Sequence, residues 1–200
     1  GITVVAIGIL GVVVYLNNRK SATNKTFLFF SISAVLYGTF NYLSYNFNYG
    51  DEQNKAFITL WIIRLVIFFA VWYAYFLFEF YYIFPNEKFS FSRKYNFFLL
   101  PVVIFTSILN LTPFVFSGLE RLAPPGEVSK TIYEPGFFLF VFVSALLVLL
   151  GIFTLVAKTI KSEGKERKQF KLILVGSTVT YSLIIIFNLI LPAVFNIIKF

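Results

Sequence analysis

Long apolar runs separated by short polar segments make up most of the chain. A helix needs roughly 20 apolar residues to cross about 30 Å of hydrocarbon, because it rises about 1.5 Å per residue. Six segments reach or approach this length, namely residues 2–16, 26–45, 57–84, 96–116, 137–157 and 170–191, and a further apolar segment, 193–200, is too short to cross. The pattern therefore predicts one all-α domain over residues 1–200, a polytopic transmembrane helix bundle of six spans plus the start of a seventh.

Composition supports lipid as the solvent of this bundle. Hydrophobic residues make up 58% of the chain and charged residues 13%, about half of the usual share of charged residues in soluble domains. The chain has no Cys and no His, which excludes disulfides, thiolate nucleophiles, His-ligated metals and phosphotransfer through histidine within these 200 residues. We therefore expect no cofactor.

Both ends of the sequence lie in apolar segments, so we expect the natural chain to continue beyond them. A cleavable signal peptide is not expected at the N-terminus. Arg19 and Lys20 follow the first apolar run, and no small-residue cleavage site does.

The net charge of +8 is concentrated in alternate loops. Loops near 17–25, 85–95 and 158–169 hold most of the Lys and Arg residues. Five of the nine acidic residues, Asp51, Glu52, Glu120, Glu127 and Glu134, fall in the other loops. Because positive loops stay in the cytoplasm, this predicts a multi-pass protein of the inner (plasma) membrane with its N-terminus outside. The charge thus reflects topology, and no nucleic-acid partner is expected.

The longest predicted outer loop, 117–136, contains turn-forming residues, among them Pro124, Pro125 and Gly126. The stretch from Val128 to Tyr133 can pair as one arm of a short hairpin, which would form a small lid over the outer mouth of the bundle. A plain ordered loop fits the same residues.

The third span carries two ionisable residues, Arg64 and Glu79, in an apolar and aromatic run. Such residues usually face the bundle interior or water. Helical spacing places them on one face with Phe68, Val71, Trp72 and Tyr75.

Arg64 and Glu79 lie about 22 Å apart along the helix, so each needs its own partner. Arg64 can meet Glu134 or an anionic ligand, and Glu79 can meet Lys25, Lys94 or Lys171. Either residue can form a ligand or coupling site, snorkel to the interface, or make a structural ion pair.

Polar and small residues recur in the second and sixth spans. The second has Tyr37 and Asn41, with Ser33 and Ser44 at helical spacing, and the sixth has Gly176, Thr180 and Asn188. Ala34 and Gly38 fit a close helix–helix contact. These residues can hold helices together or line a polar pocket between spans two, three and six. The candidate ligand-binding or coupling residues are therefore Arg64, Trp72, Tyr75, Glu79, Tyr37, Asn41 and Asn188.

Catalytic motifs are missing from the sequence. There is no phosphate-binding glycine loop, and Asp51 is the only Asp, so a pair of aspartates for intramembrane proteolysis does not exist. We therefore predict that the chain itself is not an enzyme. A membrane enzyme acting on lipid ranks below the other possibilities.

The order of several short motifs resembles the N-terminal seven-helix region of membrane histidine kinases. After the basic loop 17–25 come Phe84-Pro85, Leu111-Thr112-Pro113, Pro135-Gly136, Arg167-Lys168-Gln169, Leu174-Val175-Gly176 and Asn188-Leu189-Ile190-Leu191-Pro192. The similarity covers nearly the whole chain. It departs from a complete member in its seventh span, which is barely started, and in the output domain, which does not follow.

The resemblance implies a signal-sensing domain of a histidine kinase or a related two-component signalling protein of bacterial type. A small ligand, a lipid or a membrane state would act on the helices, and the seventh helix would lead to a cytoplasmic output domain. A homodimer is expected by analogy with the family. The alternative is a fragment of a membrane transporter or channel that uses the polar residues as a pathway.

Overall fold

A computed structural model describes residues 2–47, 50–86 and 93–185 of the chain. These residues form six helices and a two-stranded sheet: α1 Ile2–Asn17, α2 Ala22–Asn46, α3 Glu52–Ile83, α4 Arg93–Asn110, β1 Phe116–Arg121, β2 Lys130–Tyr133, α5 Gly136–Lys161 and α6 Gly164–Ile185. The chain is mostly helical, as its hydrophobic pattern predicts. It divides into two compact units, residues 1–151 and 152–200.

Three of the helices in the described ranges, α2, α3 and α5, are long and apolar enough to cross a membrane. Helix α1 and the apolar part of α4, Phe97–Asn110, are shorter. The end of the predicted sixth span and the start of the seventh lie outside the described residues. Six spans plus the start of a seventh therefore stays a prediction.

Large apolar side chains cover the outside of these helices. Phe97, Phe138, Phe142 and Phe153 each leave more than 60% of their surface exposed. Exposing so much apolar surface to water is unfavourable. Lipid is a suitable solvent for it, because the backbone groups of a helix are hydrogen-bonded within the helix. The exposed surface thus agrees with a multi-pass membrane protein.

Helices α2 and α3 begin earlier than the predicted spans at 26 and 57, because polar first turns with good N-caps continue them. The Ser21 hydroxyl accepts a hydrogen bond from the Asn24 amide at 3.4 Å, and the Asp51 carboxylate accepts one from the Asn54 amide at 3.1 Å. Such side chains satisfy backbone donors that a helix start leaves open.

Helices α1 and α2 pack through glycine. A Cβ atom added to Gly38 would lie 2.6 Å from Cγ2 of Val4, and one added to Gly11 would overlap the Ser31 side chain. Small residues let two backbones approach closely in a membrane. The close contact predicted at Gly38 is therefore confirmed, and α1 is its partner.

Helices α2 and α3 are joined by aromatic side chains. Rings of the two helices lie 5.0 to 6.1 Å apart in the pairs Phe30–Tyr73, Phe40–Phe69, Phe27–Phe80, Phe29–Phe76 and Tyr37–Tyr73. Offset and tilted ring pairs contribute about 0.5–1.5 kcal/mol each beyond area burial. The many aromatic residues of these two helices thus act in packing.

Helix α3 supplies most of the core of the first unit. Val71, Ala74, Tyr75 and Phe78 of α3 pack with Val103 of α4 and with Val143 and Leu147 of α5. A helix buried on so much of its circumference must be apolar nearly all round, as the sequence of α3 is. A polar group on the buried part of α3 therefore needs a partner inside the protein.

The predicted fourth span, 96–116, is wrong at its end. Helix α4 ends at Asn110, a turn follows, and Phe116 begins strand β1. In the turn, the Thr112 hydroxyl donates to the Leu109 carbonyl at 2.7 Å, and the Val115 amide donates to the Thr112 carbonyl at 3.3 Å. Pro113 has no amide hydrogen to continue the helix. Hydropathy alone did not detect this stop, because Phe114, Val115 and Phe116 are apolar.

The predicted inner loop 158–169 is also mostly helical. Helix α5 continues to Lys161 and α6 starts at Gly164, so Ser162 and Glu163 alone connect them. Lys, Glu, Arg and Gln are good helix formers, which explains why this charged stretch extends both helices. Within the second unit, the Lys158 ammonium lies 5.7 Å from the ring centre of buried Phe170.

Candidate functional site

The segment 116–133 forms a β-hairpin, here called the hairpin. Strands β1 and β2 pair antiparallel, with Phe116 opposite Tyr133 and Leu119 opposite Thr131. Gly126 takes a φ of 91° in the connection, a conformation that favours glycine. Of the two interpretations of the sequence, the hairpin is confirmed and the plain loop is wrong.

The hairpin is attached to the helices at both of its ends. At its tip, the Gly126 amide donates to the Tyr45 carbonyl at the end of α2, at 2.8 Å. At its base, the Gly136 amide donates to the Phe114 carbonyl at 3.0 Å. A Cβ on Gly136 would lie 2.7 Å from that carbonyl oxygen, so this junction requires glycine.

Arg64 of α3 binds the hairpin through a hydrogen bond to strand β1. The side chain is 5% exposed, and its Nη2 donates to the Phe116 carbonyl of β1 at 2.7 Å. The guanidinium carbon also lies 5.1 Å from the centre of the Trp61 ring. The Arg64 side chain therefore does not snorkel to an interface. It also takes no part in the two ion pairs that described residues form on the hairpin, Arg121–Glu127 and Lys130–Glu120. Its expected partner Glu134 is replaced by a backbone carbonyl.

The end of α4 makes a second polar contact with α3. Asn110 is completely buried, and its Nδ2 donates to the Ile67 carbonyl at 3.1 Å. Its Oδ1 and the Nε of Arg64 are buried without a hydrogen-bond partner among the described residues. Asn110 and Arg64 thus each have one buried polar atom without a hydrogen-bond partner among the described residues, near the hairpin.

A cavity of about 160 Å³, here called the hairpin cavity, lies between the hairpin and helices α2, α3 and α5. Its lining is half polar and half apolar. The polar residues are Asn41, Ser44, Tyr45, Ser129, Thr131 and Tyr133, and the apolar ones are Ile63, Val66, Phe116, Val128 and Phe137. A concave site with convergent polar groups can bind a molecule smaller than the drug-sized ligands of most protein pockets.

The residues predicted on the third-span stripe lie in different surroundings. Arg64 holds the hairpin, Tyr75 is buried in the core, and half-buried Trp72 lines an apolar groove with Phe29 and Phe68. Glu79 is 7% exposed, and no described residue forms a hydrogen bond or ion pair with its carboxylate. The stripe shares one helix but does not form one pocket in the described structure.

The candidates on the other spans also separate. Tyr37 stacks on Tyr73, with ring centres 6.1 Å apart, whereas Asn41 lines the hairpin cavity. Asn188 lies outside the described residues. No atom of the described residues lies within 4 Å of a Cβ added to Gly176, and the Thr180 hydroxyl donates to the carbonyl of Gly176 in its own helix at 2.9 Å.

The sequence did not indicate Phe116, Thr131 or Asn110 as site residues. Asn110 was detectable in principle, because a buried amide in an apolar helix is costly unless it has a partner. Phe116 carries no such signal, since its contribution comes from its carbonyl and from the strand in which it lies.

Comparison with known proteins gives a match over the whole chain. The family described as the N-terminal 7TM region of histidine kinase matches residues 1–200. No curated protein and no solved structure matches the chain. Such a region is the membrane-embedded, non-catalytic part of a kinase whose catalytic part is cytoplasmic. The chain belongs to the family of N-terminal seven-transmembrane regions of histidine kinases.

Proposed function

We propose that this chain receives a signal at the hairpin end of its helices and passes it through the membrane to a cytoplasmic kinase domain. Family membership over residues 1–200 is the observation that carries the proposal. The same membership favours a sensor over a fragment of a transporter or channel. The proposed orientation places the N-terminus and the hairpin outside, on the basis of the loop charges.

The proposed route starts at the hairpin and continues along α3. The Phe116 carbonyl binds the guanidinium of Arg64, and α3 then runs through the core to Ile83. A signal shifts the balance between two helix arrangements only by binding them with different affinity. A displacement of β1 would change the contact at Arg64 and so favour one position of α3 over another. The final helix and a homodimer would transmit that change to the output domain.

The direct test replaces residues 1–200 of the full-length protein by an unrelated membrane anchor and measures autophosphorylation in membranes. We expect phosphorylation to continue but to lose its dependence on growth conditions. Unchanged regulation after the replacement would contradict the proposal.

A finer test addresses the route. Arg64→Ala removes the donor to β1, whereas Arg121→Ala removes a charge from the exposed face of the same hairpin. We expect the Arg64 variant to shift the signal response of the full-length protein and the Arg121 variant to leave it unchanged. Equal responses in both variants would contradict the route through α3.

A further inference from the structure

The hairpin cavity offers both hydrogen-bond donors and acceptors. The Ser129 hydroxyl accepts from the Ala123 amide at 3.1 Å, so its own proton can be donated to a bound molecule. The Ser44 hydroxyl donates to the Asn41 carbonyl at 2.7 Å, so its oxygen can accept a further bond. The side-chain amide of Asn41 can both donate and accept. The site can therefore bind a hydroxyl or amide group that donates or accepts a hydrogen bond.

The described part of this lining carries no charge. None of the described residues that line the cavity is Asp, Glu, Lys or Arg, and the Ser129 and Thr131 side chains are each 6% exposed. An ionised ligand would lose part of its hydration here and find no opposite charge on the described lining, which is unfavourable. The nearby Arg64 guanidinium already binds the Phe116 carbonyl. The cavity therefore suits a neutral molecule.

The volume of the cavity and the aromatic rings in its lining narrow the class of ligand. The cavity volume of about 160 Å³ is close to that of an engineered protein cavity, about 150 Å³, that binds benzene. The rings of Phe116, Tyr133 and Phe137 lie 4.6 to 5.7 Å apart and form one wall. Rings in such an arrangement pack well against another ring.

We propose that the hairpin cavity binds a small uncharged molecule with one ring and one hydrogen-bonding group, the chemical class of phenol. That this molecule is the signal rests on the proposed function, whereas its binding does not. Phe116 lines the cavity while its carbonyl binds Arg64, and Ile63 and Val66 of α3 line the cavity as well. An occupant would therefore touch α3 directly and also the residue that Arg64 holds.

The test is a titration of the chain in phosphatidylcholine nanodiscs, followed by ligand-observed NMR and by the unfolding temperature, with empty nanodiscs as the correction for partition into lipid. The probes are phenol, benzene and benzoate. We expect phenol to bind saturably and to raise the unfolding temperature, benzene to bind more weakly, and benzoate not to bind. Benzoate binding as tightly as phenol, or no saturable binding of any probe, would overturn the proposal.

Variants place the binding in the cavity. Thr131→Val and Asn41→Leu each remove hydrogen-bonding groups, and we expect phenol affinity to fall about threefold to tenfold. Thr178→Val makes the same change at an exposed position of α6 and should leave affinity unchanged. Val66→Phe fills the cavity and should abolish saturable binding. If that variant does not fold, the Thr131 and Thr178 pair decides: equal affinities in the two would overturn the proposal.

The two proposals fail in different ways. Phenol binding to the chain without any change in autophosphorylation of the full-length protein would contradict the signal role and leave the cavity site intact. Loss of regulation on replacing residues 1–200, together with no binding of the probes, would contradict the cavity site alone.

Discussion

Several buried polar side chains of the described residues donate hydrogen bonds to backbone carbonyls. Arg64 donates to Phe116, Asn110 donates to Ile67, and Thr26 and Ser31 donate to carbonyls one turn earlier in α2. In a helix core without water, an unsatisfied polar group costs several kcal/mol, so a carbonyl with a free lone pair is a good partner. Charge-to-charge contacts are instead found at the exposed hairpin, where they contribute little.

Arg64→Ala is expected to destabilise the fold. It removes a charge-assisted hydrogen bond, for which mutational costs are about 1.5–3 kcal/mol, and it leaves the Phe116 carbonyl buried. The measurement is reversible unfolding in detergent–lipid micelles. Arg121→Ala is the control, because it breaks an exposed ion pair and should change the free energy of unfolding by less than about 1 kcal/mol. Equal effects of the two substitutions would show that the contact to β1 is not stabilising.

Glu79→Gln is expected to leave stability unchanged or to raise it. The carboxyl group is buried, and no described residue binds it, so its ionised form gains little from the fold. Gln keeps the shape and removes the ionisable group. The unfolding free energy of the variant is compared with that of the parent chain. A loss of more than about 2 kcal/mol would indicate an ionic partner of Glu79 and would favour a structural ion pair.

At the scale of the elements, the contact of α1 with α2 uses small residues, and the contact of α2 with α3 uses aromatic rings. Gly11 of α1 faces Ser31 so closely that any side chain overlaps it, whereas an added Cβ on Gly176 of α6 meets no atom of the described residues. Where two helices touch without a side chain between them, the contact depends on one residue type. Where rings interlock, many substitutions are tolerated, because volume is shared among several residues.

Gly11→Ala and Gly176→Ala form a matched pair that tests this packing. We expect Gly11→Ala to lower the free energy of unfolding by about 1–3 kcal/mol, because the added methyl group forces α1 away from α2. Gly176→Ala should be neutral or stabilising, since alanine favours the helix and its methyl group meets no atom of the described residues. A stabilising effect at Gly11 would contradict the close α1–α2 contact.

At the scale of the whole molecule, the loop charges predict which side of the membrane each loop faces. The chain has no cysteine, so a single introduced cysteine reports one position. We expect Glu127→Cys, at the exposed hairpin tip, to react with a membrane-impermeant maleimide in intact cells. Ser162→Cys, between α5 and α6, should react only after permeabilisation. The opposite pattern would invert the predicted orientation.

Hydrophobic pattern was sufficient for the helical elements, because a span needs a minimum apolar length whatever surrounds it. The hydrophobic pattern predicted the wrong helix ends after Asn110 and around residues 158–169, for the same reason in both places. Hydropathy measures transfer to lipid, whereas helix ends depend on hydrogen bonds such as that of Thr112 and on the propensities of charged residues. The turn residues of segment 117–136 indicated that a hairpin was possible, but they did not distinguish a hairpin from a loop.

The sequence by itself determined the lipid environment, the helical class, the family and the two ionisable residues of α3. Each of these depends on residue type and on local spacing. The tertiary structure decided the partner of Arg64, the separation of Trp72, Tyr75 and Glu79 into different surroundings, and the cavity beneath the hairpin. These depend on residues far apart in the chain that the fold brings together: Arg64 binds Phe116, and Asn41 and Thr131 line the same cavity. The partner atom at Phe116 is a backbone carbonyl, which every residue type possesses.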